Sequence, residues 1–112
     1  MLKLTSIQAP NQDFIIASLA DYLSKRLVME TEFIQQPPWQ TREQLLLQGQ
    51  VQVGWVCGLP YVKHTAQQPA PFELLAAPVM QAPRYQQRPI YFSDVIVHRD
   101  SEWYSFADLR GV

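Results

Sequence analysis

Side-chain hydroxyls and open backbone amides are the groups in this sequence best suited to chemistry on a ligand. Tyr61 follows Gly58 in the stretch "CGLPYV", and Tyr91 and Ser93 lie two residues apart in "YFSD". In a strand, residues two apart share a face, so the hydroxyls of Tyr91 and Ser93 should point the same way. Hydroxyls combined with the free amides of a helix N-terminus form an uncharged donor set that suits a small oxyanion. We therefore predict Tyr61, Tyr91, Ser93 and Gly58 as ligand-binding residues.

Each of these residues also has a purely structural explanation. The Tyr61 ring is equally well explained as packing a helix onto the sheet, with its hydroxyl at the edge of that contact. Tyr91 is also explained as a half-buried strand residue. Gly58 is also explained as a simple turn residue. Trp39, which follows two prolines, is suited either to plug a core or to wall a site. Spacing alone does not decide between these alternatives.

The motifs of common enzyme classes are missing. There is no G-x-S-x-G elbow, no G-x-G-x-x-G, no phosphate-binding P-loop and no H-E-x-x-H. Asp94 and Asp100 could pair as acid and base, but carboxylates near a strand end more often face solvent or cap a helix. The single cysteine, Cys57, is predicted to be a small buried apolar residue, and His64 seven residues later makes a weak partner for it. The sequence thus predicts no catalytic residues, no metal site and no cofactor.

Composition and charge limit the remaining possibilities. The chain has 112 residues, 47% of them hydrophobic, which is enough for a single domain spanning residues 1–112. Its net charge is −1 and its basic residues are scattered, so a nucleic-acid partner is not expected. No stretch approaches the roughly 18 apolar residues of a membrane span. The first ten residues lack the pattern of a signal peptide, so the sequence leaves the compartment open.

Alternating strand and helix patterns predict an α/β fold. Strands are predicted at residues 2–7, 28–36, 50–57, 72–80 and 90–98, with helices after the first three strands and after the last. This order predicts a mostly parallel open sheet of about five strands, one of them antiparallel, with helices on both faces.

Capping residues predict where the helices begin and end. Asn11 is a predicted N-cap, and Thr41 with Gln44 forms a predicted capping box. Ser105 with Asp108 forms a second predicted box. Gly49 and Gly111 are predicted stop residues, and Pro60 suits a first helical turn, where its missing N–H is not needed.

Two long stretches resemble a known family. "GQVQVGWVCGLPYV" and "YFSDVIVHRDSEWYSFADLRGV" are similar to the phosphate/phosphonate-type substrate-binding proteins of ABC transporters, within the type II periplasmic binding proteins. The family pattern has a strand "vDvgw", a Gly-x-Pro/Ser-Tyr helix start, a Y-x-S strand and a D-L-+-G segment. "SFADLRG" marks the superfamily generally, whereas Tyr61 and the Tyr91-x-Ser93 pair select the phosphonate-like branch. The chain departs from the pattern at Gln52, where many members carry Asp.

The resemblance implies a binding protein rather than an enzyme. Family members have two α/β lobes that close on phosphate, phosphite or a phosphonate. They work outside the cytoplasm and deliver the ligand to a membrane permease. The chain resembles the N-terminal lobe, so the oxyanion-binding helix that opens with a Ser/Thr-rich turn would lie beyond Val112. One lobe alone should bind weakly, because the ligand remains open to water. The surface around Trp103 and Tyr104 should also favour self-association.

Two other functions remain open on the same fold. One is a ligand-sensing domain of a regulatory or signalling protein, a possibility favoured by the missing signal peptide. If the protein has no secretion signal at all, it would be cytoplasmic. The other is an enzyme acting on small aromatic metabolites, which would require Cys57 or His64 to face the cleft.

Overall fold

A small parallel sheet organises the first part of the chain. The computed structural model describes residues 1–112, and the sheet has three strands in the order β2-β1-β3. Three helices follow the strands in alternation. The bounds are β1 Leu2–Ser6, α1 Asp13–Leu27, β2 Thr31–Ile34, α2 Trp39–Leu47, β3 Val53–Trp55 and α3 Gly58–Thr65. The predicted α/β class and the first three predicted strands are thus confirmed.

The central strand, β1, carries the core. Leu4 is completely buried and packs with Ile16 and Ala20 of α1, which lie one helical turn apart on a single stripe. Both neighbouring strands run parallel to β1, with Leu4 paired to Phe33 on one side and to Val53 on the other. A central strand of this kind is buried on both faces because helices cover a parallel sheet from both sides.

Alternation along β3 shows that helices lie on both faces of the sheet. Val53 and Trp55 pack into the α1 cluster, so the intervening Gly54 faces the other side. There Leu46 of α2 comes so close that a Cβ on Gly54 would lie 2.5 Å from its Cδ2 atom. Gly54 therefore permits the close approach of α2, and the predicted coverage of both faces is confirmed.

The helix ends agree with some predicted caps and contradict others. Asn11 is not the N-cap of α1, because a short 3₁₀ turn at Pro10–Gln12 comes first and the helix begins at Asp13. Thr41 and Gln44 do not form a capping box, because α2 already begins at Trp39 after the Pro37-Pro38 pair. Both errors have one cause: proline fixes φ near its helical value and lets a helix begin earlier than a side-chain cap would.

The glycine stops and Pro60 behave as predicted. Gly49 has a φ of +70° and its N–H bonds the Leu46 carbonyl, while the next N–H reaches the Leu45 carbonyl at 2.9 Å. This pair of bonds is a Schellman ending for α2. Gly111 has a φ of +83° and follows the 3₁₀ turn at Phe106–Leu109. Pro60 lies in the first turn of α3.

The chain divides into two compact units, Met1–Leu74 and Leu75–Val112, and the second contains no strand. The predicted strands at 72–80 and 90–98 are therefore wrong, and no antiparallel pair forms. Pro78 removes a backbone donor inside the first of these segments, which disfavours a ladder there. The second segment is then left without a neighbouring strand to satisfy its own backbone groups. The second unit instead has 3₁₀ turns at Pro83–Tyr85 and Phe106–Leu109.

None of the helices has the length and apolar character needed to cross a bilayer.

Candidate ligand-binding site

The helices that follow β1 and β3 lie on opposite faces of the sheet. The His64 side chain of α3 lies 3.0 Å from the Glu43 carboxylate of α2, so α3 shares the face of α2, opposite α1. The connections leaving β1 and β3 therefore turn to opposite faces. In open α/β sheets a ligand binds at such a switch point, outside the carboxyl ends of the strands.

The end of β1 is held rigidly at this edge. Ser6 is completely buried, and its hydroxyl accepts a hydrogen bond from the Gln8 N–H at 3.1 Å. The next residue, Ile7, donates its N–H to the Trp55 carbonyl at 3.1 Å, which ties the two strand ends together. The loops after β1 and β3 thus begin from fixed points.

Gly58 and Tyr61 lie in the first turn of α3, directly after β3. Gly58 is the first helical residue and lacks a positive φ, so its backbone conformation does not itself require glycine. Tyr61 is half-buried, with its ring centroid 6.2 Å from that of Phe72. Its backbone N–H bonds the Cys57 carbonyl, but its hydroxyl makes no hydrogen bond within the protein. The Tyr61 ring therefore packs against Phe72, while its hydroxyl is free to donate a hydrogen bond.

Tyr91 and Ser93 lie in the second unit and are exposed. Tyr91 is 72% exposed and belongs to no strand, so the half-buried strand explanation fails. Neither hydroxyl makes a hydrogen bond within the protein. Both side chains can therefore donate to an external group without first breaking an internal bond.

The four predicted ligand residues are divided between the two units, Gly58 and Tyr61 in Met1–Leu74 and Tyr91 and Ser93 in Leu75–Val112. Within each unit the pair is close in sequence and carries unused donor groups.

Trp39 was left undecided by the sequence and is 51% exposed, which rules out a core plug. It begins α2 after β2, so it lies toward the same carboxyl edge of the sheet as Gly58. That its indole walls a ligand site stays a prediction.

Arg84 was missed by the sequence analysis. Its two Nη atoms donate to the two carboxylate oxygens of Asp94 at 3.1 and 2.9 Å. This hydrogen-bonded pairing lowers the pKa of Asp94 and raises the pKa of Arg84. Asp94 therefore stays ionised and is unsuited to act as a general acid. No sequence signal marks this pair, because its partners lie ten residues apart in irregular structure.

The residues that the enzymatic alternative requires do not lie together as a catalytic pair. Cys57 is exposed, so its predicted burial is wrong, and it is the N-cap residue of α3. His64 contacts Glu43 and the edge of the Phe72 ring rather than the thiol. Asp100 is exposed and lies near the Arg99 and His98 side chains. None of these arrangements forms a nucleophile with its base.

Comparison with protein families gives a match over nearly the whole chain. Residues 8–112 match the family described as ABC transporter, phosphonate, periplasmic substrate-binding protein. Comparisons with curated proteins and with solved structures found nothing that matches. On this match, with which the α/β fold agrees, the chain belongs to the family of periplasmic substrate-binding proteins of phosphonate ABC transporters.

Proposed function

We propose that the chain binds a small phosphorus oxyanion, namely phosphate, phosphite or an alkylphosphonate, through Tyr61, Tyr91, Ser93 and the amide of Gly58. Its family implies a small-molecule ligand, an ABC permease as partner and an extracytoplasmic location, and it is not an enzyme class. We further propose that residues 1–112 make up one lobe of a two-lobed binding protein.

The observation that carries the ligand assignment is the set of three hydroxyls without internal partners. A phosphonate has three oxygens that accept hydrogen bonds, and hydroxyls and amides satisfy them without a fixed positive charge. Arg84, seven residues before Tyr91, is paired with Asp94. The proposed donor set consists of hydroxyls and one amide and is therefore uncharged, which favours recognition by geometry over simple charge attraction.

Exposure of these donors limits the expected affinity. A ligand beside a Tyr91 that is 72% exposed keeps much of its contact with water, and most of its surface stays unburied. We therefore expect weak binding by residues 1–112. Titration calorimetry that showed tight binding of methylphosphonate by this chain would contradict the expectation.

The direct test is an NMR titration of the 112-residue chain with methylphosphonate and with phosphate, using acetate at equal ionic strength as the control anion. Amide signals of residues 58–61 and 91–93 should shift with both phosphorus anions and not with acetate. Tyr61→Phe and Tyr91→Phe each remove one hydroxyl but keep the ring, so each should weaken the response.

Tyr104→Phe provides the matched control for these variants. Tyr104 is 90% exposed and is not a predicted ligand residue, so loss of its hydroxyl should leave the titration unchanged. Equal responses in all three phenylalanine variants and the unaltered protein would refute the site. Shifts that followed acetate as closely as methylphosphonate would refute the ligand class.

A further inference from the structure

A compact cluster around Arg84 restrains the segment that carries Tyr91 and Ser93. The guanidinium carbon of Arg84 lies 4.3 Å from the centre of the Phe92 ring while its Nη atoms bind Asp94. The Tyr85 ring joins this contact, with its centroid 5.5 Å from that of Phe92 and 5.9 Å from the guanidinium carbon of Arg84. One arginine is thus shared by two residues of the segment, Phe92 through cation–π contact and Asp94 through a bidentate ion pair.

The shared contact involves two alternate residues of the segment. Residues 90–98 contain no helix, turn or bend. In extended backbone, neighbouring side chains point to opposite sides. Phe92 and Asp94 are both turned toward Arg84. Tyr91 and Ser93 occupy the alternate positions, and neither hydroxyl hydrogen-bonds to Arg84, whose Nη atoms bind Asp94.

We propose that Arg84 is a positioning residue for the ligand: by holding Phe92 and Asp94 it presents the hydroxyls of Tyr91 and Ser93 together on the free side of the segment. This inference rests on the proposed function. It explains how a segment without a sheet ladder keeps two ligand donors in register. The role that hydrogen bonds to a neighbouring strand would serve is here taken by side-chain contacts to Arg84.

The geometry also argues against Arg84 as a ligand group. Both Nη atoms are engaged by Asp94 and the flat face of the guanidinium covers Phe92, so the parts of the side chain that best bind an oxyanion are occupied. Arg84 acts on the ligand through Tyr91 and Ser93.

Three variants of the 112-residue chain test the proposal. Arg84→Ala removes both contacts, and Arg84→Lys keeps the charge but loses the planar fork that binds Asp94 and covers Phe92. Arg88→Ala is the matched control, because Arg88 belongs to the same unit and its side chain bonds only the Gln86 side chain. Backbone ¹⁵N relaxation of residues 91–94 and the methylphosphonate titration of the Tyr91 and Ser93 amides are measured for each.

We expect residues 91–94 to become more mobile in Arg84→Ala and the apparent affinity for methylphosphonate to fall roughly two- to tenfold, since two exposed contacts of modest strength are lost. Arg84→Lys should lie between Arg84→Ala and the unaltered protein. Arg88→Ala should match the unaltered protein in both measurements.

The outcomes separate this inference from the proposed function. If methylphosphonate shifts the Tyr91 and Ser93 amides equally in Arg84→Ala and in the unaltered protein, the positioning role is overturned while the ligand site stands. If no phosphorus anion shifts them in the unaltered protein, the proposed function fails and this inference fails with it. An equal loss in Arg88→Ala would show a general effect of charge and would also overturn the positioning role.

Discussion

The two units of this chain are built on different principles. Met1–Leu74 buries a central strand between helices, whereas every residue of Leu75–Val112 keeps at least part of its surface in contact with solvent. The first unit is held by apolar packing and a hydrogen-bonded ladder. The second is held by local turns, one carboxylate cap and the contacts of Arg84. Stability should therefore be concentrated in the first unit, and the ligand donors of the second unit should depend on individual polar contacts.

The strongest test of this difference between the units is to replace one leucine by alanine in each of them. Leu4→Ala leaves a cavity at a completely buried position, so we expect a loss of about 2–5 kcal/mol in the free energy of unfolding. Leu75→Ala, at a position that is 79% exposed, should change it by no more than about 0.5 kcal/mol. Urea unfolding followed by circular dichroism measures both. Equal losses would contradict the concentration of stability in the first unit.

Arg42 provides a second test within the first unit. The side chain is 5% exposed, and its Nε and Nη1 atoms are buried without a hydrogen-bond partner. Leaving a buried polar group unsatisfied costs about 1–3 kcal/mol, more when it is charged. Arg42→Met keeps similar bulk without the charge, so we expect it to raise the free energy of unfolding by about 1–3 kcal/mol.

The control for Arg42 is Arg26→Met, which changes an exposed arginine in the last turn of α1. It should lower stability slightly or leave it unchanged, because a cation there favours the helix dipole. A marked loss of stability in Arg42→Met would show that the guanidinium has a partner in solution.

The exposed apolar surface of the second unit should mediate self-association. Ile96, Tyr104 and Phe106 are 87%, 90% and 78% exposed and lie in a unit without a buried core. We expect light scattering to show growing mass with concentration, and Tyr104→Asp to reduce that growth. Val28→Asp, at an exposed apolar position of the first unit, should not reduce it. A strictly monomeric chain at high concentration would contradict this prediction.

The sequence predicts the two units with unequal success, and the reason is physical. In the first unit each periodic segment finds a partner: Leu4 meets Ile16, and β1 meets β2 and β3, so local pattern and tertiary packing agree. The segments at 72–80 and 90–98 show the same strand-like patterns, but a strand also requires a neighbour for its backbone, and composition does not reveal whether one is present. Pattern predicts the potential for a strand, and pairing decides whether it forms.

The site shows the same division. Tyr61 could be placed on a helix start because Gly58 and Pro60 mark that start locally. Arg84 could not be found, because its contact with Asp94 spans ten residues of irregular chain and follows no periodic rule. The exposure of Cys57 was also missed. Free cysteines are buried on average over many proteins, but Cys57 is the N-cap residue of α3, a position to which that average does not apply.

The smallest expected effect concerns the acid behaviour of the second unit. The Asp108 carboxylate accepts hydrogen bonds from the Tyr104 and Ser105 amides at 2.9 and 2.7 Å, and these bonds lower its pKa below the ordinary 3.8. A carboxylate whose pKa is lower in the folded state stabilises that state above its unfolded pKa, and this contribution is lost as pH falls through the lowered value. The cap should therefore remain intact at neutral and mildly acidic pH.

An NMR pH titration checks this directly. The Tyr104 and Ser105 amide signals should titrate together with a midpoint below 3.8, and Asp108→Asn should abolish that titration while the signals of the first unit stay unchanged. Asp94 should likewise titrate below its ordinary value, and Arg84→Ala should move its midpoint upward, because the hydrogen-bonded cation is gone. A midpoint for Asp94 that did not move in Arg84→Ala would mean that the ion pair does not persist in solution. The second unit would then have lost the polar contact on which the presentation of Tyr91 and Ser93 depends.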